Sequence, residues 1–486
     1  MAKVTLPEES LLDNEVWAKP TKGFFVTMLT RDIALMDAIM DLIDNCIDGI
    51  HREAKKNGIK KGISNYKGFH ADINLNEKEF ILRDNCGGIP LNVAKNYAFK
   101  MGRSTDYHDD DKLETLGMYG IGMKRGIFKM GLKADVTTWN NNDIYKVKIP
   151  EDWAAIPKWV FEYENLSKSN IKGLLTHPGT RVHITALHKN ISKQFKDTSG
   201  FVKDLKIELQ KHYGYIIQQG FSISLNGVKI LSLELNILTN NPKVKTAASI
   251  KPYVYAAKID DVNVEVMIGF YRPPASEDEI QKELDGSYAS SVSENAGITV
   301  LCNDRVVLYC DKTFLTGWGE TPVPKYHTQF IAIAGVIHFR SNDPIKLPVT
   351  TTKRGLDTSS AVYAAVKNKV KEGLRLFTSF TNNWKTPSDE RTKLFKSVTK
   401  INALRPGQSK SALVTLKTGK KGDDGEYQIP ELPKPSKISV KNLLAISFTK
   451  DKHKVEKLKQ YFFEEENKSA SEIGSWCFDK MYSQVD

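Results

Sequence analysis

Residues 33 to 50 constrain the fold of this chain more than any other stretch. Ile33, Met36, Met40, Ile43, Ile47 and Ile50 recur at spacings of three and four, which places them on one stripe of an amphipathic helix. At about 100° per residue, Asp41, Asn45 and Asp48 fall together on another face, with Asp37 and Asp44 beside them. Like charges at helical spacing destabilise a helix by roughly a few tenths of a kcal/mol per pair, so this face needs compensation. Solvent alone can provide it. A hard cation can also provide it: Mg2+ takes oxygen ligands, an Asn carbonyl is one, and a carboxylate one turn away can orient a water. Gly49 and the KKNGIKKG run that follows are read as the end of the helix.

With 486 residues the chain exceeds one hydrophobic core, which predicts two or three domains. It is 40% hydrophobic and 26% charged, the balance of a globular protein. No apolar run is long enough for a bilayer, and MAKVTLPEES lacks the regions of a signal peptide, so no membrane role is expected. The five cysteines (Cys46, Cys86, Cys302, Cys310, Cys477) form no CxxC pair. That disfavours both a disulfide framework and metal ligation, and a reducing, cytoplasmic setting is expected. The net charge of +12 hints at a polyanionic partner. Residues 351–400 carry eleven Lys and Arg against four acids, and a solvated basic helix explains that as well as a binding surface does.

Along the chain, residues 1–22 read as an extended arm. ADINLNEKEFILRD at 71–84 reads as a β-hairpin. A polar loop follows at 98–116, then a glycine-rich segment at 117–126 running into GIFKMG. Strands are expected at 134–148 and 180–187, and a helix over FVKDLKIELQKHYGYII. FSISLNGVKIL reads as a strand–turn–strand opening a new region. Strands at 253–271, 297–310 and 329–340 precede a helix at about 359–380. From 401 the composition becomes turn- and linker-like. Two helical pieces, HKVEKLKQYFFEEE and SEIGSWCFDKMY, close the chain. The expected division is an arm at 1–22, domains at 23–215 and 216–385, and a linker with C-terminal helices at 386–486.

Three further motifs carry possible chemistry. LRDNCGGIP, residues 82–90, ends a strand in an Asp. A buried carboxylate accepts hydrogen bonds only, which suits the exocyclic amine of adenine, and the glycines allow close approach to a flat ring. LGMYGIGMKRG, residues 116–126, can turn the backbone N–H groups of Gly117, Gly120 and Gly122 toward phosphates at a helix start, with Lys124 adding charge. HPGTRVHIT, residues 177–185, introduces a strand through Gly179 and Thr180. Taken singly, these are also an ordinary turn, a flexible loop and a strand start.

Their order and spacing within about 150 residues resemble the GHKL superfamily of ATPases, which includes gyrase-type topoisomerases, the ninety-kilodalton heat-shock chaperones, MutL and MORC proteins. The resemblance covers roughly residues 25–190. LIDNCIDG resembles the first motif and RDNCGGIP the second. GRS, LGMYGIGMKRG and the following KMG look most like the MORC version of the third. AGITVLCNDRVVLY and LPVTTTKRGLD resemble the strand and the lysine loop of a transducer domain. The implied fold is a Bergerat-type α/β sandwich that binds ATP, followed by a ribosomal-protein-like α/β transducer and a small C-terminal region.

The same resemblance implies roles. Asn45 would bind Mg2+. Asp84 would bond the adenine amine, with Thr180 nearby through a water and Gly88 beside the ring. Gly117, Gly120, Gly122 and Lys124 would close a lid over the phosphates, with Asp48 and Tyr119 also at the nucleotide. Asp41 would be the general base, and Lys353 would reach the γ-phosphate. The implied function is a Mg2+-dependent ATPase that dimerises on ATP as a clamp, with DNA as the substrate. The alternative is a nucleotide-gated scaffold or chaperone-like protein clamp with little turnover, acting on a protein partner through the C-terminal region. Two positions depart from the pattern. Asp41 stands where Glu is usual and is shorter by about 1.3–1.5 Å, a displacement that can cost roughly a hundredfold in rate. Cys86 stands where Gly is usual, so a left-handed backbone there would be strained.

Overall fold

The apolar stripe forms the buried side of a long helix in the computed structural model, which describes residues 20–56, 66–102, 113–117, 120–141, 143–197, 200–240, 250–285, 295–385, 388–404, 414–419, 425–435, 446–463 and 469–485. The chain divides into two compact units, Met1–Lys434 and Pro435–Asp486. In the first, helices α1 (Lys22–Arg31) and α2 (Leu35–Lys56) are followed by α3 (Leu91–Val93), α4 (Gly122–Met130), α5 (Lys168–Ile171), α6 (Lys189–Lys196) and α7 (Phe201–Gln218). Next come α8 (Glu277–Leu284), α9 (Ala361–Asn383) and α10 (Asp389–Leu394).

Ile39, Ile43, Ile47 and Ile50 of α2 are fully buried. The helix does not end at Gly49 but continues to Lys56, inside the KKNGIKKG run that is also expected to end it. Glycine is required there by packing: a Cβ would stand 2.7 Å from the Cys86 carbonyl oxygen. The opposite face is not solvated either. Asp41, Asp44 and Asp48 are 2%, 0% and 1% exposed, while Asn45 between them is open to solvent.

The residues at 71–84 form the expected hairpin, β1 (His70–Leu75) paired antiparallel with β2 (Phe80–Asp84). Alternate residues of both strands are buried, so one sheet face is core. The segment 134–148 is two strands joined by a turn, β3 (Gly131–Asn140) and β4 (Asp143–Ile149). With β5 (Glu162–Asn165), β6 (Gly179–Leu187), β7 (Ser222–Leu225) and β8 (Val228–Lys229) they make one eight-stranded mixed sheet in the order β5-β4-β3-β6-β2-β1-β7-β8. FSISLNGVKIL therefore does not open a new region: β7 lies parallel to β1 and extends the first sheet to Lys229. Ile43 of α2, Ile127 of α4 and Leu205 of α7 share one core with Ile73, Leu82, Val136 and Ile184 of the sheet.

A second sheet follows. It is built from β10 (Tyr253–Ile259), β11 (Val262–Phe270), β12 (Gly297–Cys302), β13 (Arg305–Asp311), β14 (Ile333–Arg340), β16 (Lys417–Thr418) and β17 (Glu426–Gln428). Its order is β13-β12-β14-β11-β10-β17-β16. The runs expected to hold strands at 253–271 and 297–310 are each hairpins, turned by left-handed residues at Asp260–Asp261 and Asn303–Asp304. Helix α9 packs on this sheet, with Phe377 edge-on to Phe270 at 5.0 Å. A ribbon of β9 (Asn236–Asn240) and β15 (Val398–Asn402) is hydrogen-bonded into neither sheet and packs on the core through Ile237 and Ile401. Part of the stretch read as linker thus supplies β15, β16 and β17. The architecture is the α/β class expected, with large mixed sheets.

The second unit is a helical pair, α11 (Lys452–Phe463) and α12 (Ala470–Tyr482). Ser469 and Glu472 form a capping box at the start of α12. Phe462 and Trp476 hold the two helices together at 4.8 Å. No helix among the described residues is long and apolar enough to cross a membrane.

Candidate functional site

Asp84 is the last residue of β2 and is nearly buried. Its Oδ1 accepts the backbone N–H of Cys86 at 2.8 Å and of Thr180 at 3.2 Å. Its Oδ2 accepts the Cys46 thiol at 3.5 Å. Burial pushes this carboxyl above its usual range, and those hydrogen bonds partly offset the push. Cys86 itself keeps an ordinary backbone. The turn takes its left-handed residues at Gly87 and Gly88, so the expected strain at Cys86 does not arise. At Gly88 a Cβ would meet the Trp139 carbonyl oxygen at 2.3 Å, which leaves that position to glycine alone.

The acidic face of α2 is compensated by basic residues rather than by solvent. Asp44 is ion-paired with Arg305 at 2.8 Å and Lys353 at 2.8 Å, and accepts the Tyr213 hydroxyl at 2.8 Å. Burial alone would raise the Asp44 carboxyl, but Arg305 and Lys353 outweigh it and hold it below its ordinary value. Asp41 accepts from Arg125 on Oδ2 and meets Lys353 on Oδ1 at 3.2 Å. Asp37 pairs with Arg354 at 2.6 Å. Asp48 takes the backbone N–H groups of Leu116 and Gly117 at 2.7 and 2.9 Å, so it anchors the end of the loop.

Asn45 donates through Nδ2 to the Asp41 carbonyl at 2.9 Å, and its Oδ1 accepts no hydrogen bond among the described residues. Lys124, in the first turn of α4, is 2% exposed. Its ammonium donates to the carbonyls of Ala98, at 2.8 Å, and Gly120, tying the start of the polar loop to the glycine-rich segment. Burial brings its pKa down to about 8. Lys353 has a left-handed backbone, uncommon for a non-glycine residue. Its carbonyl is held at 2.7 Å by Arg305, which is itself fully buried.

These groups surround one cavity of about 530 Å³, a size within the range of small-molecule sites. Asp41, Asn45, Asp48, Asp84, Gly88, Gly117, Gly120, Gly122, Lys124, Thr180 and Lys353 all line it. Of the residues singled out in the sequence, Tyr119 lies outside the described residues, as do 103–112 of the loop and 1–19 of the arm. Leu42, Ile89, Val93 and Val182 give the cavity apolar lining, in addition to the Asp84 carboxylate, the Asn45 amide and both lysines. That donor set fits a nucleotide. It also fits Mg2+ held by one protein oxygen, with phosphate and water completing the shell. Among the described residues no group of three or more His, Cys, Asp or Glu could hold a metal unaided.

Sequence reasoning missed Arg125, Arg305, Arg354 and Tyr213. Arg125 and Arg354 directly follow the two lysines that were chosen, so the paired Lys-Arg steps were the available signal. Arg305 and Tyr213 sit in a strand and a helix whose patterns point only to core.

Residues 33–172 match the family model described as "Histidine kinase-, DNA gyrase B-, and HSP90-like ATPase". The matched span contains α2, the β1–β2 hairpin, the glycine loop and α4. It supports membership of the GHKL superfamily and, with it, ATP binding. Comparison with curated proteins gives no match.

Proposed function

We propose, from the GHKL membership supported for residues 33–172, that this protein is a Mg2+-dependent ATPase whose nucleotide cycle drives dimerisation and closes a clamp. The observation that carries the reading is one cavity joining a buried carboxylate, Asp84, to an amide, Asn45, and two lysines, Lys124 and Lys353. Oδ1 of Asp84 is committed to two backbone N–H groups, so Oδ2 is the oxygen for the adenine amine. Thr180 and Gly88 flank the base. Asn45 would hold Mg2+ through its side-chain oxygen. When bound, the ion supplies charge neutralisation at the phosphate oxygens. The N–H groups of Gly120 and Gly122, with Lys124, would bind the phosphates, while that of Gly117 stays on Asp48 and keeps the lid motif, which includes Tyr119 in sequence, tied to α2. Lys124 then exchanges the carbonyls of Ala98 and Gly120 for phosphate, which reorganises the lid. Asp48 acts by holding the backbone at Leu116 and Gly117. Asp41 is the general base, and Lys353 reaches the terminal phosphate.

The clamp reading rests on the lid and the Lys353 loop meeting on α2, and on the lid motif's resemblance to MORC proteins. Support for DNA is narrower than composition suggests. Of the eleven basic residues at 351–400, Lys353, Arg354, Lys367 and Lys371 are in ion pairs. Lys369 lies over Tyr427, and Arg391 is buried on backbone carbonyls. Arg375, Lys385, Lys393, Lys396 and Lys400 are exposed and free to face a polyanion. A second reading, a nucleotide-gated scaffold with slow turnover, is favoured by the cations on both Asp41 oxygens. Its partner surface would include the exposed Phe478, Met481 and Tyr482 of α12. Five unpaired cysteines suit a cytoplasmic setting.

The test is ATP turnover by the full chain with and without DNA, beside oligomer mass with a non-hydrolysable ATP analogue. Asp84→Asn should weaken analogue binding by roughly 1–3 kcal/mol, because the amide would aim a donor at the adenine amine. Asp41→Asn should bind and not turn over, since an amide accepts no proton. DNA binding should weaken log-linearly with salt. Unchanged affinity in Asp84→Asn would sink the site, and analogue-driven dimers without turnover would favour the scaffold.

A further inference from the structure

Arg125 follows Lys124 on α4 and is 7% exposed. Its Nε donates to Oδ2 of Asp41 at 3.0 Å, and Nη2 bonds the same oxygen. Nη2 also reaches the Thr351 carbonyl at 3.5 Å. One guanidinium therefore joins α2, the lid helix and the loop that carries Lys353. The two helices cross closely: a Cβ on Gly126 would lie 2.9 Å from the Ala38 carbonyl oxygen. Lys353 holds the other oxygen, Oδ1, at 3.2 Å. The two cations are not equivalent. Lys353 is a point charge on a flexible stem, shared with Asp44 at 2.8 Å, whereas Arg125 is a planar fork with fixed geometry.

We propose that Arg125 is the positioning residue of the hydrolytic centre: it anchors Oδ2 of Asp41, so that Oδ1, once Lys353 leaves it for phosphate, takes the proton of the attacking water. This rests on the ATPase reading above. A carboxylate on so short a stem has little freedom to swing toward the water and must be aimed by its neighbours. In the step, a water O–H bond breaks and its proton passes to Oδ1. The water oxygen bonds the terminal phosphorus as the bond from that phosphorus to the leaving ADP oxygen breaks. Asp41 later releases the proton to solvent.

The experiment compares full-length parent, Arg125→Met, Arg125→Lys and Arg125→Ala. Analogue affinity is read by calorimetry, single-turnover rate by product formation, and ligand-free melting by fluorescence. In Arg125→Met the analogue affinity should stay within about threefold of the parent while the rate falls roughly a hundredfold. Arg125→Lys keeps the charge but only one of the two bonds to Oδ2, and should fall between them. Dilute guanidinium should restore part of the rate of Arg125→Ala, which a merely structural role would not allow. Affinity and rate lost together, without rescue, would overturn the proposal. An unchanged rate in Arg125→Met beside a parent that turns over would overturn this inference alone. A parent that binds the analogue and shows no turnover would overturn both it and the ATPase reading.

Discussion

Lys124 carries a buried charge whose acceptors are two backbone carbonyls, and its protonation is a measurable property of the site. Burial lowers its pKa from 10.5 to about 8. Between those values the unfolded chain holds a proton that the folded one lacks, so ligand-free stability rises as pH increases from about 8 to 10.5. Below about 8 the full cost of burying the ammonium is present. Phosphate binding has the opposite dependence because it needs the charged form. Affinity for an ATP analogue should therefore fall as pH rises through about 8. Lys124→Arg should flatten that fall, since guanidinium stays charged. Calorimetric titrations across this range decide it, and parallel curves for the two proteins would remove Lys124 from the phosphate contacts.

At the scale of elements, the contact between α2 and the β2 turn sets the base end of the cavity. Gly49 is where the helix touches the Cys86 carbonyl, and the N–H of Cys86 holds Asp84. Helix propensity favours Ala over Gly by about 1 kcal/mol. Overpacking against backbone costs about 1–3 kcal/mol. Gly49→Ala should therefore lower the urea midpoint of the unit that contains α2, against its propensity, and weaken nucleotide binding by displacing the Cys86 turn. A raised midpoint with unchanged binding would show that the turn gives way without consequence.

Across the whole first unit, the second sheet shares an apolar core with the first, through residues such as Leu301 and Val306, and is also tied to it by charge. Arg305, at the start of β13, pairs with Asp44 of α2 and holds the carbonyl of Lys353. The next link runs from Asn303 to the Thr115 carbonyl at 3.0 Å and from Arg340 to Glu114 at 2.5 Å. The end of the lid loop is thus gripped by the second sheet as well as by Asp48. Arg305→Met should destabilise the unit by about 3–5 kcal/mol, because it leaves a buried carboxylate short of a partner. The combined Asp44→Leu, Arg305→Met protein should lose less than Arg305→Met alone. Denaturant unfolding of the three proteins is the measurement. The Asp44 contribution is present above the ordinary carboxyl pKa of 3.8 and is lost as pH falls through its lower folded value. A double variant no more stable than Arg305→Met would show that Asp44 does not depend on that pair.

By itself the sequence determined the elements whose signal is local. The period of the isoleucines fixed α2 and its core face, alternation fixed the β1–β2 hairpin, and the order of Asn45, Asp84 and the glycine triplet brought the nucleotide reading together. Tertiary structure decided what the acidic face of α2 is for. A helical wheel places Asp41, Asp44 and Asp48 on one side but cannot say what meets them there, because Arg305 and Lys353 arrive from more than 250 residues away. It also decided that Gly49 is a contact rather than a stop, that FSISLNGVKIL extends the first sheet, and that most of the basic run at 351–400 is used internally. Each of these depends on a partner distant in sequence, and local periodicity and composition carry no information about such a partner.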